Sequence, residues 1–235
     1  MALLGTVVNG LVIIVGSLIG TQLRNIPERV KVTVMQAIAL AVIIIGVGMG
    51  LKSENFLIVI GSLSIGAILG ERWDLEDKLN RLGKWLEMKT GAKEEGSFAK
   101  GFVTATLIYV VGAMAIVGAL DGGLRNDHAV LYTKSMLDGF SAILFTSTLG
   151  IGVLFSAIPV MVYQGTIAVL ATQIVHMVSQ DLMDMFIVEM TATGGIMILA
   201  IGLNILGITK IRVANLLPAI IVVAIIVTIL NFFKI

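Results

Sequence analysis

Residues 132–152, "YTKSMLDGFSAILFTSTLGIG", place a base and an acid in a run otherwise apolar enough to enter a lipid bilayer. Lys134 and Asp138 stand four residues apart, one helical turn, so the ammonium can reach the carboxylate. An ionised side chain at a bilayer centre costs about 2.5–3.5 kcal/mol on insertion scales, so each one calls for a reason. Asp138 could recruit a cation or titrate as a solute passes; equally, it could pair with Lys134 and snorkel to the interface. Ser141, Thr146, Ser147 and Thr148 carry polarity deeper, and Ser141 and Thr148 share a helical face with Asp138. That stripe leads to Gly150-Ile151-Gly152, where each glycine weakens a helix by roughly 1 kcal/mol relative to alanine. Polar groups converging on a weak point suit a pathway for a solute or ion. Thr148–Gly152 also has the T-x-G-x-G form of potassium-filter loops, a five-residue pattern that carries little weight in a glycine-rich chain.

Four amides, Asn9, Gln36, Gln164 and Asn204, also fall in apolar runs. Interhelical hydrogen bonding is the common use of such side chains, and solute binding the rarer one. Gln164 ranks first because it adjoins Gly165. Asn215 and Pro218 in "NLLPA" shape the start of the last helix, and Glu71 marks an inner interface. Other chemistries find little support. With no cysteine, disulfides, thiol redox chemistry and Cys-ligated metals are excluded. His128 and His176 have no partners at zinc-site spacing, so no metal site is expected. No G-x-S-x-G occurs, and no nucleophile–base pair can be matched between spans. "GVGMG", residues 46–50, lies inside an apolar run and is no nucleotide loop. The expectation is a protein that is not an enzyme, with no cofactor and no nucleic-acid partner.

The elements that must position these residues follow from hydropathy. Of 235 residues, 57% are hydrophobic and 13% charged, with a mean hydropathy of +1.03; soluble chains carry about 25% charge. Runs of roughly 20 apolar residues, enough to cross a bilayer, recur along the chain. The fold class is an all-α polytopic membrane protein. Apolar runs predict about eight spans, 3–22, 33–51, 55–71, 100–120, 135–156, 159–178, 189–207 and 214–233. The first, "ALLGTVVNGLVIIVGSLIG", has neither the basic start nor the A-x-A-like end of a cleaved signal peptide.

Eight crossings put both termini on one side. Loops after spans 1, 3, 5 and 7 carry Arg24, Arg29, Lys31, Arg72, Lys78, Arg81, Lys84, Lys89, Lys93, Lys100, Lys210 and Arg212. The other side holds only Lys52, Arg125, Lys134 and Lys234. Positive charge favours the cytoplasm, so both termini are expected outside it. The outer side keeps Glu54, Asp121, Asp127, Asp138, Asp181, Asp184 and Glu189, an acidic balance that draws cations.

The polar stretch 72–97 falls inside. Leu75, Leu79, Leu82 and Leu86 form a helical stripe, and Asp74–Lys78 and Asp77–Arg81 are favourable i,i+4 pairs. Trp73 and Trp85 suit a helix at the headgroup level. The segment reads as a solvated connector or as a surface that docks a cytoplasmic partner.

Glycines suggest a repeat. Gly10, Gly16 and Gly20 precede Gly112, Gly118 and Gly122 by 102 residues; Gly46, Gly48 and Gly61 precede Gly150, Gly152 and Gly165 by 104. Residues 1–71 then form repeat 1, 72–99 the connector, 100–178 an inverted repeat 2, and 179–235 two added helices. In transporters, glycine-interrupted segments at matching positions of inverted repeats flank the substrate path. Gly46-Val47-Gly48 and Gly150-Ile151-Gly152 are such a pair. Many of these glycines also form G-x-x-x-G faces, whose ordinary use is close helix packing. Those faces suit internal packing or a homodimer.

At "GFVTATLIYVVGAMAIVGALDG", "TKSMLDG", "LGIGVLFSAIPVMVYQG" and "NLLPA" the chain resembles the YdfK/YqgA-like bacterial inner-membrane proteins, domain of unknown function 554. The resemblance spans essentially the whole chain. It implies a multi-span plasma-membrane protein, at most a transporter, and brings no substrate or catalytic residues. The leading expectation is a transporter or channel for a small cationic or polar solute, passive or ion-coupled, with lipid as its surroundings. Its path would run between spans 2 and 5, past Asp138 and then Gly150 and Gly152. The alternative is a scaffold or sensor docking a partner through residues 72–97.

Overall fold

The computed structural model describes residues 1–23, 27–90 and 97–233. Arg24, Lys93 and Lys234, counted above in the charge asymmetry, lie outside these residues, as does the 91–96 part of the connector. The described chain is helical: α1 (Leu4–Gln22), α2 (Glu28–Gly50), α3 (Phe56–Trp73), α4 (Leu75–Thr90), α5 (Ser97–Val110), α6 (Ala113–Arg125), α7 (Ala129–Leu149), α8 (Gly152–Phe155), α9 (Ala157–Met177), α10 (Gln180–Ile205) and α11 (Pro218–Phe233), with a 3₁₀ turn at Val213–Leu216.

The helix α1 is inside out relative to a helix of a soluble bundle. On α1, Leu4, Val7, Leu11, Val15 and Leu18 are exposed, while Gly5, Thr6, Asn9, Gly10, Gly16, Ser17 and Gly20 are buried. In lipid the apolar stripe gains nothing by turning inward, so small and polar residues make the helix contacts. Among the described residues, six helical stretches are long and apolar enough to cross a membrane, and α5 with α6, bent by 62° at their junction, makes a seventh if the pair is one broken span. The helix α7 is not among them, because Lys134, Asp138 and its run of Ser and Thr lower its hydropathy. It still shows lipid an apolar face of Met136, Leu137 and Phe140.

The chain forms two compact units that interleave the sequence. The first gathers Met1–Val34, Leu79–Val110 and Met114–Ile174. In it α1 and α7 run in the same direction: Gly16 rests on the Gly139 carbonyl and Gly20 on that of Ile143. The helix α9 runs opposite to α1, with Met161 against Gly10 and Thr6 near Gly165. The helix α5 runs opposite to α7, since Tyr109 meets Ser141 while Gly101 meets Leu149.

The second unit gathers Met35–Lys78, Val111–Ala113 and Val175–Ile235. Here α10 runs opposite to α2, Gly46 lying on Gly195 and Leu199 while Gly202 faces Ala39 and Ile43. The helices α3 and α11 are also antiparallel, Gly66 on Ala219 and Gly70 on the Asn215 backbone. The turn into α4 is tied down. Arg212 bridges Glu71 at 2.7 Å, Asp74 at 2.5 Å and Asp77 at 3.5 Å. The Asp74 hydrogen bond, foremost among these contacts, raises the Arg212 pKa above its ordinary value. Asn215 donates to Glu71 and accepts from the Glu76 amide, both at 2.7 Å. Glu71 is thus part of a polar knot, a more specific role than marking an interface.

The matched glycines behave differently in the two expected copies. Gly10 and Gly46 lie inside the unbroken helices α1 and α2. Their counterparts Gly112 and Gly150 have φ of 144° and 92° and separate α5 from α6 and α7 from α8. Gly46 is therefore no interruption: a Cβ there would stand 2.5 Å from the Leu199 nitrogen, so the missing side chain serves close packing.

Candidate functional site

A polar cluster is buried where α1, α7 and α9 meet, all within the first unit. At 1.5 Å per residue, Asn9 lies about 7.5 Å along α1 from Leu4, well inside the apolar length of the helix. The Lys134 ammonium donates to both Asp138 carboxylate oxygens, Oδ1 at 2.9 Å and Oδ2 at 2.7 Å. Their side chains are 9% and 8% exposed, so the pair is inside the protein and does not snorkel to the surface. Asn9 Nδ2 donates to Asp138 Oδ2 at 3.1 Å and to Gln164 Oε1 at 3.3 Å. The carboxylate requires the NH₂ end of Asn9, and that NH₂ in turn requires the oxygen end of Gln164, so charge orients both amides. What remains is specific: Asn9 Oδ1, an acceptor, and Gln164 Nε2, a donor, are buried with no partner among the described residues. Both residues are 0% exposed.

Below this lies Tyr109, whose ring centroid is 6.0 Å from the Lys134 nitrogen, at the reach of a cation–π contact. The Ser141 hydroxyl bridges the Asp138 carbonyl at 2.9 Å and the Tyr109 hydroxyl at 3.3 Å. Thr6, Ser17 and Thr146 are further buried hydroxyls without partners among the described residues.

The expected pathway residues divide accordingly. Asp138, Lys134, Ser141 and Gln164 come together. Thr148 instead donates to the Leu144 and Phe145 carbonyls, and Ser147 to Leu144, each closing on its own helix. The Gly150 carbonyl accepts from the Val153 amide at 3.4 Å, and Gly152 packs onto the Phe98 carbonyl. Gly46 and Gly48 belong to the other unit, where Gly46 is buried and Gly48 has open space around it.

Two contributors escaped the sequence reading. Tyr109 gave no signal beyond being an aromatic in an apolar run. Glu189, counted among outer acids, is 1% exposed within α10 of the second unit. It accepts from Ser53 Oγ at 2.7 Å and from the Glu54 and Asn55 amides at 2.9 and 3.0 Å. A carboxylate at the N-terminus of α3 satisfies amides that the helix cannot, and the helix dipole favours it. Among the described residues, no three His, Asp or Glu side chains gather as a metal site would require.

A family profile described as "Protein of unknown function (DUF554)" matches residues 4–228. The chain belongs to this family. The DUF554 relatives include "Uncharacterized membrane protein YdfK" of Bacillus subtilis (strain 168), 32% identical over 234 residues and covering 97% of both chains. "Uncharacterized protein YqgA" of Escherichia coli (strain K12) is 30% identical over 221 residues, 92% of both. No solved structure matches. With its apolar helices and a relative named as a membrane protein, this DUF554 chain is a multi-pass membrane protein.

Proposed function

We propose that this protein carries a small polar solute across the bacterial plasma membrane, by a passive or ion-coupled route, through the Lys134–Asp138–Asn9–Gln164 cluster. One observation carries the reading: an ion pair and two amides are buried between apolar helices with a donor and an acceptor still unused. A cluster kept for packing alone gains most when every polar atom is paired, since each orphan costs about 1–3 kcal/mol. The parallel course of α1 and α7, and the antiparallel course of α1 with α9, agree with eight alternating crossings. The charge asymmetry supports termini outside the cytoplasm. The glycine spacing still supports an inverted repeat, with breaks confined to its second copy. Because Lys134 already neutralises Asp138, the arrangement favours a polar solute over a bare cation.

The experiment is flux into proteoliposomes across a broad solute panel, with protein-free vesicles as background. Solute entry that disappears in Asp138→Asn supports the proposal; no entry of any solute rejects it. The scaffold reading has one observation in its favour. Leu82, Trp85 and Met88 of α4 are exposed at helical spacing, an apolar edge suited to a headgroup layer or a docked helix.

A further inference from the structure

We propose that the solute is a small zwitterion, a molecule with an ammonium and a carboxylate a few bonds apart. The inference rests on the solute-pathway reading above and is drawn from the charge and valence left in the cluster. Asp138 and Lys134 cancel, and Asn9, Gln164, Ser141 and Tyr109 add no charge, so the site is neutral as built. A net-charged solute would leave one charge unpaired in a poorly solvated place, the costly situation for buried ions. A zwitterion leaves none. Its ammonium takes the place of Lys134 on Asp138, and its carboxylate takes the ammonium that Lys134 has freed, so one ion pair becomes two.

The unused atoms match the same ligand. Asn9 Oδ1 belongs to the amide whose nitrogen already touches Asp138, so a lone acceptor lies beside the carboxylate for a further N–H of the incoming ammonium. Gln164 Nε2 belongs to the amide one step further out and offers N–H groups to the incoming carboxylate. A simple cation would use the first of these and not the second; a simple anion would do the reverse. Met161, one helical turn before Gln164 on α9, packs on Gly10, the neighbour of Asn9, and a thioether chain reshapes readily to admit a ligand.

The test is equilibrium binding to the purified full chain in lipid nanodiscs. The probes are free α-amino acids and β-amino acids, together with the amide (cationic) and N-acetyl (anionic) derivatives of each. The expected result is saturable binding of at least one zwitterion, at least tenfold tighter than either of its charged derivatives. Gln164→Met, close in size to the native residue, should weaken that zwitterion roughly tenfold, as loss of a charge-assisted hydrogen bond does. It also takes the Gln164 Oε1 acceptor from Asn9, so the melt of the unliganded protein should fall. The diagnostic readout is that the zwitterion loses more affinity than its amide derivative, which has no carboxylate for Nε2. Equal or tighter binding of a charged derivative, or no zwitterion bound by a protein that melts cooperatively, overturns the assignment. Flux of a solute that is not zwitterionic would overturn it too while leaving the transport reading intact.

Discussion

Asp138 of α7 in the first unit and Glu189 of α10 in the second are both buried carboxylates, and they are served in opposite ways. Asp138 is held by an ammonium and an amide, and the amides around it keep unused polar atoms. Glu189 is held by a hydroxyl and two backbone amides at the head of α3, with both oxygens engaged. Helix N-termini supply donors that are always present, so Glu189 acts as a fastener for the 53–55 turn. A side-chain ammonium can leave, so Asp138 can exchange partners. Burial of an acid in a membrane helix therefore does not mark a working site by itself; the role proposed for Asp138 rests on its replaceable partner and on the spare valence beside it.

Removing one partner should break this comparison most strongly. Lys134→Met leaves Asp138 buried and uncompensated, a loss of about 3–5 kcal/mol in denaturant unfolding. Lys134→Met combined with Asp138→Leu should recover most of that loss, since an apolar pair suits the site. Glu189→Gln keeps an acceptor for the two amides and sacrifices charge assistance, about 1–3 kcal/mol by the same measurement. A loss equal to that of Lys134→Met would mean that Glu189 is no mere fastener.

The glycines extend the comparison. Gly150→Ala forces a side chain onto φ 92° and ψ 179°, with strain on the order of 1–3 kcal/mol. Gly46→Ala places a methyl within 2.5 Å of backbone on α10, with a similar expected loss from overpacking. Gly48→Ala, two residues away and facing open space, should be neutral or stabilising by up to about 1 kcal/mol. Thermal melts of the three variants in one detergent rank them, and a destabilised Gly48→Ala would contradict the packing described for α2.

The helices were legible because lipid-facing stripes such as Leu4, Val7, Leu11 and Val15 coincide with their apolar runs. The Lys134–Asp138 pair was legible from spacing alone, since a turn of helix brings i and i+4 together. Asn9 was visible only as a polar residue in a span. Its partners lie 129 and 155 residues away, and only the packing of α1 on α7 and α9 joins them. Glu189 left less trace, because two of its three donors are backbone amides, which every residue but proline owns. The expectation for Gly46 exceeded its grounds: glycine permits a break in a helix without requiring one, and tight packing uses the same residue.

The most direct measurement is solute flux through Asp138→Asn and Glu189→Gln proteins reconstituted side by side at matched, folded amounts. Flux through Asp138→Asn is expected to fall to the protein-free background while Glu189→Gln retains most native flux. The reverse pattern, or equal loss in both, would contradict the role proposed for Asp138.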